Sequence, residues 1–264
     1  MTDHKADDDE PITPRQEAIV ARVQQYGFVA IEALAREFDI TPQTVRRDIN
    51  ALCARRLLQR YHGGAGLPPS TENLAYETRE GLHADAKRRI ADLAATHIPD
   101  HAAVAIGLGT TAQAVGLALK GHRGLRAITN NLRVAATLSA SDSNEVMLAG
   151  GIVRQIDAGV TGESAIDFFR SFRVDYALMS ISGIEEDGSL MDFDYHEVRL
   201  LQAILASARR RFLLADASKY RRHALIRVAN ISDFDALFTD RRPSGELARV
   251  VADAGVAVYV TDTP

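Results

Sequence analysis

Cysteine is almost absent from this chain. Cys53 stands alone among 264 residues, so no internal disulfide can form, as expected of a protein kept in a reducing cytoplasm. It follows Leu52 on an apolar helix face and reads as packing. Long apolar runs are missing as well. AAVAI (102–106) and AGVAVYV (254–260) fall far short of the roughly 20 residues a membrane-spanning helix needs. The opening MTDHKADDDE has neither the basic start nor the apolar centre of a secretory signal, and its composition suits a disordered acidic tail over residues 1–13. Clustered metal ligands are also lacking: the eight histidines are scattered, and His196 beside Glu197 makes no site by itself. Neither a metal nor a cofactor is expected.

What is present is an ordinary globular composition, 46% hydrophobic and 25% charged, enough for one large domain or two smaller ones. The net charge of −4 is uneven. Residues 1–10 hold five acids and one base, whereas residues 14–67 hold eight arginines against five acids. A basic segment inside an acidic chain suits a local contact with a polyanion.

Residues 14–67 read as three helices and a small β wing. The first helix spans about Arg15 to Gln25, with Ile19, Val23 and Tyr26 on one stripe and Gly27 as its stop. The second, IEALAREF (31–38), offers Ile31, Leu34 and Phe38 to a core, with Ala30 as a poor N-cap. The third starts at Thr41, a good N-cap, with Pro42 in the first helical position, and runs to about Arg56. Within TPQTVRRDINAL (41–52), Val45, Ile49 and Leu52 share one face, and Gln43, Arg46, Arg47 and Asn50 share the opposite one. Arginine matches guanine edges, glutamine and asparagine match adenine, and Thr44 can reach a phosphate or a thymine methyl. The turn Asp39–Ile40–Thr41 completes a helix-turn-helix, and LLQRYHGGAGL adds a wing with Arg60, Tyr61, His62 and Gly63 near its tip. The alternative, a surface helix with merely solvated charges, does not account for the turn, the capped helix and the Gly-Gly wing together.

Residues 68–85, in and after LPPSTENLAYETRE (67–80), read as a linker, because Pro68, Pro69 and Ser70 block regular structure. From 86 to 264 apolar strands alternate with helices: AAVAI, LRAIT, EVMLA, VDYALMSI, RFLLAD and DALFTD, with helices near 111–120, 132–140, 195–208 and 244–254. Such alternation predicts an α/β domain with a mainly parallel sheet.

Several polar, glycine-bearing turns then fall at strand ends, where open α/β sheets bind ligands. IGLGTT carries Gly107, Gly109, Thr110 and Thr111 into a helix start, a place that favours an anion. No lysine follows its second glycine, so it is no Walker loop, and it is no dinucleotide fingerprint either. Alone, it reads equally as a phosphate cradle or a tight strand-to-helix turn. ITNN contributes Thr129, Asn130 and Asn131; AGG contributes Gly150 and Gly151; ISGI contributes Ser182 and Gly183. ADASK ends a strand with Lys219, either a cation for a phosphate or an exposed lysine. DFDYHEVRL (192–200) directs Glu197 and His196 toward the same place, with Asp192 and Asp194 in the loop before; it suits proton transfer or ligand recognition alike.

TPQTVRRDINAL followed by LLQRYHGGA resembles the winged helix-turn-helix of the DeoR family of bacterial regulators over residues 15–66. That resemblance implies operator binding by Gln43, Thr44, Arg46, Arg47, His62 and Gly63, and their place on the helix and wing adds Thr41, Asn50 and Arg60 to the expected DNA contacts. It continues over about residues 75–260, where the family's sensor domain is similar in fold to ribose-5-phosphate isomerase. ADASK and Glu197 match parts of that enzyme's site, but the lysine-bearing, glycine-rich loop before its catalytic glutamate is replaced by MDFDYH. The resemblance therefore implies recognition without catalysis, and no catalytic residue is assigned. TGESAIDFF, FRVDYALMSISGI, DGSL and FDYHEVR point, within the family, to glycerol-3-phosphate as effector. On this reading the phosphate meets Gly109–Thr111 and Lys219, the hydroxyls meet Asp194 and Glu197, and the protein is a cytoplasmic homo-oligomer, a dimer or tetramer. Another sugar-phosphate effector, or a sugar-phosphate isomerase, are the alternatives.

Overall fold

Apolar residues at helical spacing build the first unit. α1 (Pro14–Tyr26) buries Ile19 and Val23, α2 (Ile31–Glu37) buries Ile31 and Leu34, and α3 (Pro42–Ala54) buries Val45, Ile49 and Leu52. These side chains meet in one core with Leu57, Leu58 and Ala65, and Phe38 and Cys53 are partly buried against it. In this computed structural model residues 12–26, 28–61, 63–67 and 76–261 are described. They divide into two compact units, one ending at Leu82 and the other beginning at His83. Tyr26, expected on the buried stripe of α1, is 62% exposed, because the stripe closes at Val23. Gly27, and residues 1–11 of the expected acidic tail, lie outside the described residues.

The wing has three strands rather than two. β1 (Phe28–Ala30), β2 (Gln59–Tyr61) and β3 (Gly64–Gly66) pair antiparallel in the order β1-β3-β2. A three-residue strand shows no alternation to read, so β1 exists only by its pairing. Gly64 must be glycine, since a Cβ there would strike the Val29 carbonyl and the Phe28 ring. The expected linker also differs. Residues 68–75 lie outside the described residues, but α4 (Tyr76–Gly81) is a helix whose Tyr76 is 2% exposed. Burial of that aromatic ring outweighs the polar composition around it.

The second unit is an α/β domain. In chain order it runs α5 (Ala84–Ala95), β4 (Ala103–Ile106), α6 (Thr110–Ala118), β5 (Arg126–Thr129), α7 (Leu132–Leu138), β6 (Glu145–Leu148), β7 (Ile152–Val153), β8 (Val160–Thr161), α8 (Glu163–Arg170) and β9 (Val174–Ser180). It continues with β10 (Gly183–Ile184), β11 (Ser189–Asp192), α9 (Tyr195–Ser207), β12 (Ala208–Leu214), β13 (Ile226–Asn230), β14 (Ala236–Thr239), α10 (Gly245–Asp253) and β15 (Ala257–Val260). Seven strands form a wholly parallel sheet in the order β15-β14-β12-β9-β4-β5-β6. Alternate residues enter opposite cores: Ala105 and Leu213 on one face, Val104, Ile106, Phe212 and Leu214 on the other. Both faces are therefore covered, as parallel strands require. A smaller antiparallel sheet, β10-β11-β13, and the helix α8 carry too short or too mixed a pattern to be read beforehand.

The strand order reverses beside β4. β5 and β6 lie to one side of it, and β9, β12, β14 and β15 to the other. The crevice of such a sheet opens at the carboxyl ends of the strands flanking the reversal. Here those ends are the loops after Ile106 and Ser180.

Ile49 is 1% exposed at the centre of the first core. Ile49→Ala is expected to destabilise that unit by about 2–5 kcal/mol. Urea denaturation of the full chain, followed by far-ultraviolet circular dichroism, should show the first unit melting earlier and the second unchanged.

Candidate functional site

The outer face of α3 carries the polar set expected of it. Gln43, Arg46, Arg47 and Asn50 are all exposed, opposite the buried Val45, Ile49 and Leu52. The only acid of the helix, Asp48, is turned inward at 5% exposure. Arg15 Nε donates to Asp48 Oδ2 at 2.7 Å and Arg15 Nη2 to Oδ1 at 3.2 Å, which ties α1 to the back of α3. The outer face is thereby left cationic, and the helix is held in place from behind.

Two expected contacts are partly committed inside the unit. Thr41 Oγ1 caps α3 by accepting the Thr44 amide at 3.2 Å, and it lies 2.9 Å from the Thr44 hydroxyl, so the two side chains are paired. Arg60 Nη1 of the wing donates to Asn50 Oδ1 at 3.0 Å. That bond joins the wing to α3 and occupies the oxygen which Asn50 would need for two-point reading of adenine. Gly63 takes φ +80, and its carbonyl accepts the Ile31 amide at 3.0 Å, fixing the wing turn to the start of α2. His62 lies outside the described residues.

In the second unit, the loop after β4 is shaped by close approach. Gly109 has φ +113, and a Cβ there would lie 2.5 Å from Ser180 Oγ at the end of β9. Ser180 Oγ in turn donates to the Leu108 carbonyl at 3.1 Å. Gly107 faces Leu201 and Ile204 of α9, which a Cβ would meet at 3.4–3.5 Å, ordinary packing contact. Thr110 and Thr111 form the first turn of α6, whose early amides have no partners within the helix. Beside them, Thr129 Oγ1 donates to the Ile106 carbonyl at 2.7 Å and accepts the Asn131 amide at 3.0 Å. Asn131 caps α7 through its oxygen, and Asn130 Nδ2 donates to the Val160 carbonyl at 3.0 Å. Both asparagines are fully buried, yet Asn130 Oδ1 and Asn131 Nδ2 have no hydrogen-bond partner among the described residues. Such atoms are costly unless water or a ligand meets them.

A flap, residues 149–161, roofs this corner. Its strands β7 and β8 pair antiparallel, and β8 binds the end of β5: Val160 N–H donates to the Asn130 carbonyl at 2.7 Å and Leu132 N–H to the Ala158 carbonyl at 3.1 Å. Gly150 and Gly151 make the flap's base. Gly151 takes φ +151, with Thr161's carbonyl 2.5 Å from where its Cβ would be. They shape the turn into the flap.

Arg154, at the flap tip, was not singled out in the sequence. Its Nη1 donates to Asp194 Oδ2 at 3.1 Å and its Nη2 to Glu197 Oε2 at 3.0 Å, and it pairs with Asp157 through both Nε and Nη2. Burial by itself would discourage its charge, but Glu197 and Asp157 outweigh that and hold the guanidinium firmly protonated. Asp194 meanwhile caps α9, its Oδ1 accepting His196 N–H at 2.8 Å and Glu197 N–H at 3.1 Å. The two carboxylates expected to meet ligand hydroxyls are thus tied to an arginine 40 and 43 residues away in sequence. The one sequence signal for it was an arginine shortly after a Gly-Gly turn.

Lys219 lies in a 3-10 turn after β12, two strands from β4, or about 10 Å at ordinary strand spacing. It is electrostatically coupled to Asp216, which is 1% exposed and caps the same turn through Ser218. Burial alone would raise the Asp216 carboxyl, but Lys219, His83, Ser218 and Lys87 together hold it below the ordinary carboxylate range. Ser182 and Gly183 are occupied differently from expectation. Ser182 Oγ donates to buried Asp192 at 3.1 Å, and Gly183 presses on the Arg222 carbonyl, so both serve the β10–β11 corner. A separate open hollow of about 320 Å³ lies at the opposite edge of the sheet, lined by His101, Asp175, Tyr176 and Arg209, and none of the expected site residues line it.

The depressed Asp216 carboxyl contributes stability that is present above its unfolded pKa of about 4 and is lost as pH falls through its lower folded value. Asp216→Asn should therefore be less stable than the parent protein at pH 7, with the difference shrinking below pH ~4. Urea midpoints measured across that range check it.

Comparison with known proteins follows the same division into two units. Residues 15–71 match the DeoR-like helix-turn-helix domain, and residues 82–241 match the DeoR C terminal sensor domain. The chain is 42% identical over 241 residues to the glycerol-3-phosphate regulon repressor of Escherichia coli, covering 91% of this chain and 96% of that protein. It is 39% identical over 247 residues to the transcriptional repressor CsqR of the same organism, covering 94% and 95%. Among solved structures, ribose 5-phosphate isomerase A from Neisseria gonorrhoeae is similar over 54% of each chain, at 16% identity and a TM-score of 0.38. This chain belongs to the DeoR family, with that family's helix-turn-helix at its amino end and its sensor domain behind it.

Proposed function

We propose that this protein is a transcriptional repressor that leaves its operator when a small phosphorylated polyol or sugar, glycerol-3-phosphate first among them, enters the second unit. One observation carries the reading: α3 presents Gln43, Arg46, Arg47 and Asn50 outward with its only acid buried behind it. This combination suits a helix laid in the major groove, with arginines gripping phosphate or guanine and glutamine meeting adenine. Thr41 and Thr44 hold the helix start and support the reading residues. Arg60 and Gly63 of the wing stand beside them, and His62 belongs to the same proposed contact.

The effector's phosphate is assigned to Gly107, Gly109, Thr110 and Thr111 at the α6 start. Thr129, Asn130 and Asn131 form one wall, and Asp194 and Glu197 face the hydroxyls. Lys219 adds a cation at the edge. The orphaned Asn130 Oδ1 and Asn131 Nδ2 support a polar ligand in that corner. Recognition rather than turnover is supported by Glu197: a carboxylate bonded to a half-buried arginine is poorly placed to take a proton from a substrate. The names of the relatives, both repressors, point to the same role.

Operator half-sites call for paired recognition helices, so the working protein is a symmetric homo-oligomer in the cytoplasm. Effector and operator oppose each other by linkage: the effector favours the state that binds DNA less well.

Arg46→Ala and Arg47→Ala are each expected to weaken operator binding. A base-reading contact would cost about 1–3 kcal/mol and relax specificity at one position, whereas a phosphate contact would lower the salt slope by about one. Fluorescence anisotropy on operator DNA from 50 to 200 mM salt separates the two, and unchanged affinity in both variants would remove α3 from the interface.

Glycerol-3-phosphate, ribose-5-phosphate and fructose-1-phosphate titrated onto the protein–operator complex at fixed salt test the effector. Gly109→Ala, strained at φ +113 and crowded by Ser180, should keep operator binding while requiring at least tenfold more effector for release. Interconversion of ribose and ribulose phosphates by the purified protein would sink the sensor reading.

A further inference from the structure

The flap meets the loop after β4 as well as the end of β5. Gly159, at its tip, packs on Leu108, the residue before Gly109; a Cβ on Gly159 would fall 2.6 Å from the Leu108 side chain. Across the same turn, Arg154 N–H donates to the Gly159 carbonyl at 2.8 Å, so Arg154 sits beside the loop that leads into α6. Its guanidinium then reaches the first turn of α9 through Asp194 and Glu197. Glu197, Leu201 and Ile204 lie at i, i+4 and i+7, one face of α9, and Leu201 and Ile204 are the residues facing Gly107. The α9 face that packs on the loop after β4 therefore ends, one turn earlier, at the arginine cluster. The loop, the flap tip and the α9 start enclose one corner.

The corner has an electrical direction. At one end lie the free amides of α6, which favour an anion. At the other, a single arginine faces three carboxylates, Asp157, Asp194 and Glu197. An anionic phosphate is repelled from that end, whereas hydroxyl hydrogens find carboxylate oxygens with several acceptor sites each.

We infer that Arg154 gauges effector length. It ties the flap to α9, closes the carboxylate end of the pocket, and so admits a short phosphorylated polyol while turning away longer sugar phosphates. The inference rests on the reading of this corner as the effector site. A pocket whose far wall is a tethered flap discriminates by clash, and specificity of that kind disappears when the tether is cut. Arg154 acts here as a positioning residue. Lysine in its place can supply one charge but not the forked, several-partner geometry of a guanidinium.

The test compares effector selectivity. Operator release is titrated with glycerol-3-phosphate, ribose-5-phosphate and fructose-1-phosphate for the parent protein, Arg154→Gln, Arg154→Lys and Gly159→Ala, each checked by thermal melting. In Arg154→Gln the preference for the three-carbon phosphate over the longer two is expected to fall at least tenfold, with Arg154→Lys recovering part of it. Gly159→Ala lifts the flap without changing a charge, and should shift selectivity the same way if Arg154→Gln fails to fold. Selectivity within twofold of the parent in these variants, or equal weakening toward all three phosphates, would overturn the gauge and leave only a structural role. A parent protein released by none of the three would overturn the sensor reading itself, a result distinct from unchanged selectivity in a responsive parent.

Discussion

Parallel pairing is the constraint on which the sensor unit depends. Seven parallel strands bring every carboxyl end to one edge of the sheet, and the order reverses beside β4. The connections after β4 and β9 therefore part to opposite faces and leave a crevice between them. The chain fills that crevice with residues that tolerate close approach. Gly109 is admitted only because it lacks a Cβ, and Ser180 uses its hydroxyl to hold the loop through the Leu108 carbonyl. β8 then extends β5 by a few hydrogen bonds, which carries the flap over the same corner.

Charge at this edge is part of the architecture. Asp194 spends one oxygen on the start of α9 and the other on Arg154. Asp216 caps the 217–219 turn while facing Lys219, His83 and Lys87. Removing one partner from a buried cluster leaves the others uncompensated, so such groups are constrained together even where they add little net stability. On the proposed reading of this corner, an entering ligand would change that balance directly.

The winged unit reaches its rigidity by other means. It has no disulfide, and polar ties as well as its core hold α3 among the described residues. Thr41 caps the start of α3, Arg15 grips Asp48 behind it, and Arg60 of the wing holds Asn50 from the side. A helix immobilised before contact loses less conformational entropy on binding. Arg60 and Asn50 also make the wing and the helix one contact surface rather than two.

Periodicity was enough to predict the three helices of the first unit, the outward face of α3, the strand-helix alternation and the parallel sheet. Each of these follows from a local rule: which face is apolar, which residue caps, where glycine stops a helix. β1, α4, α8 and the small antiparallel sheet were not legible, since three-residue strands exist only by their partners and α4 is anchored by one buried ring among polar neighbours. At the site, the glycines and threonines after β4 could be picked out because phosphate cradles and tight turns share a composition. Arg154 could not, because its significance comes from Asp194 and Glu197, about forty residues further along the chain. Thr44, Asn50 and Ser182 could be named as polar groups, but not as groups already bonded inside the protein. The sequence by itself determined which residues are polar, flexible or charged along each element. Only the tertiary structure decided which of them are available to a ligand, because a hydrogen bond or ion pair depends on what the fold places within about 3 Å.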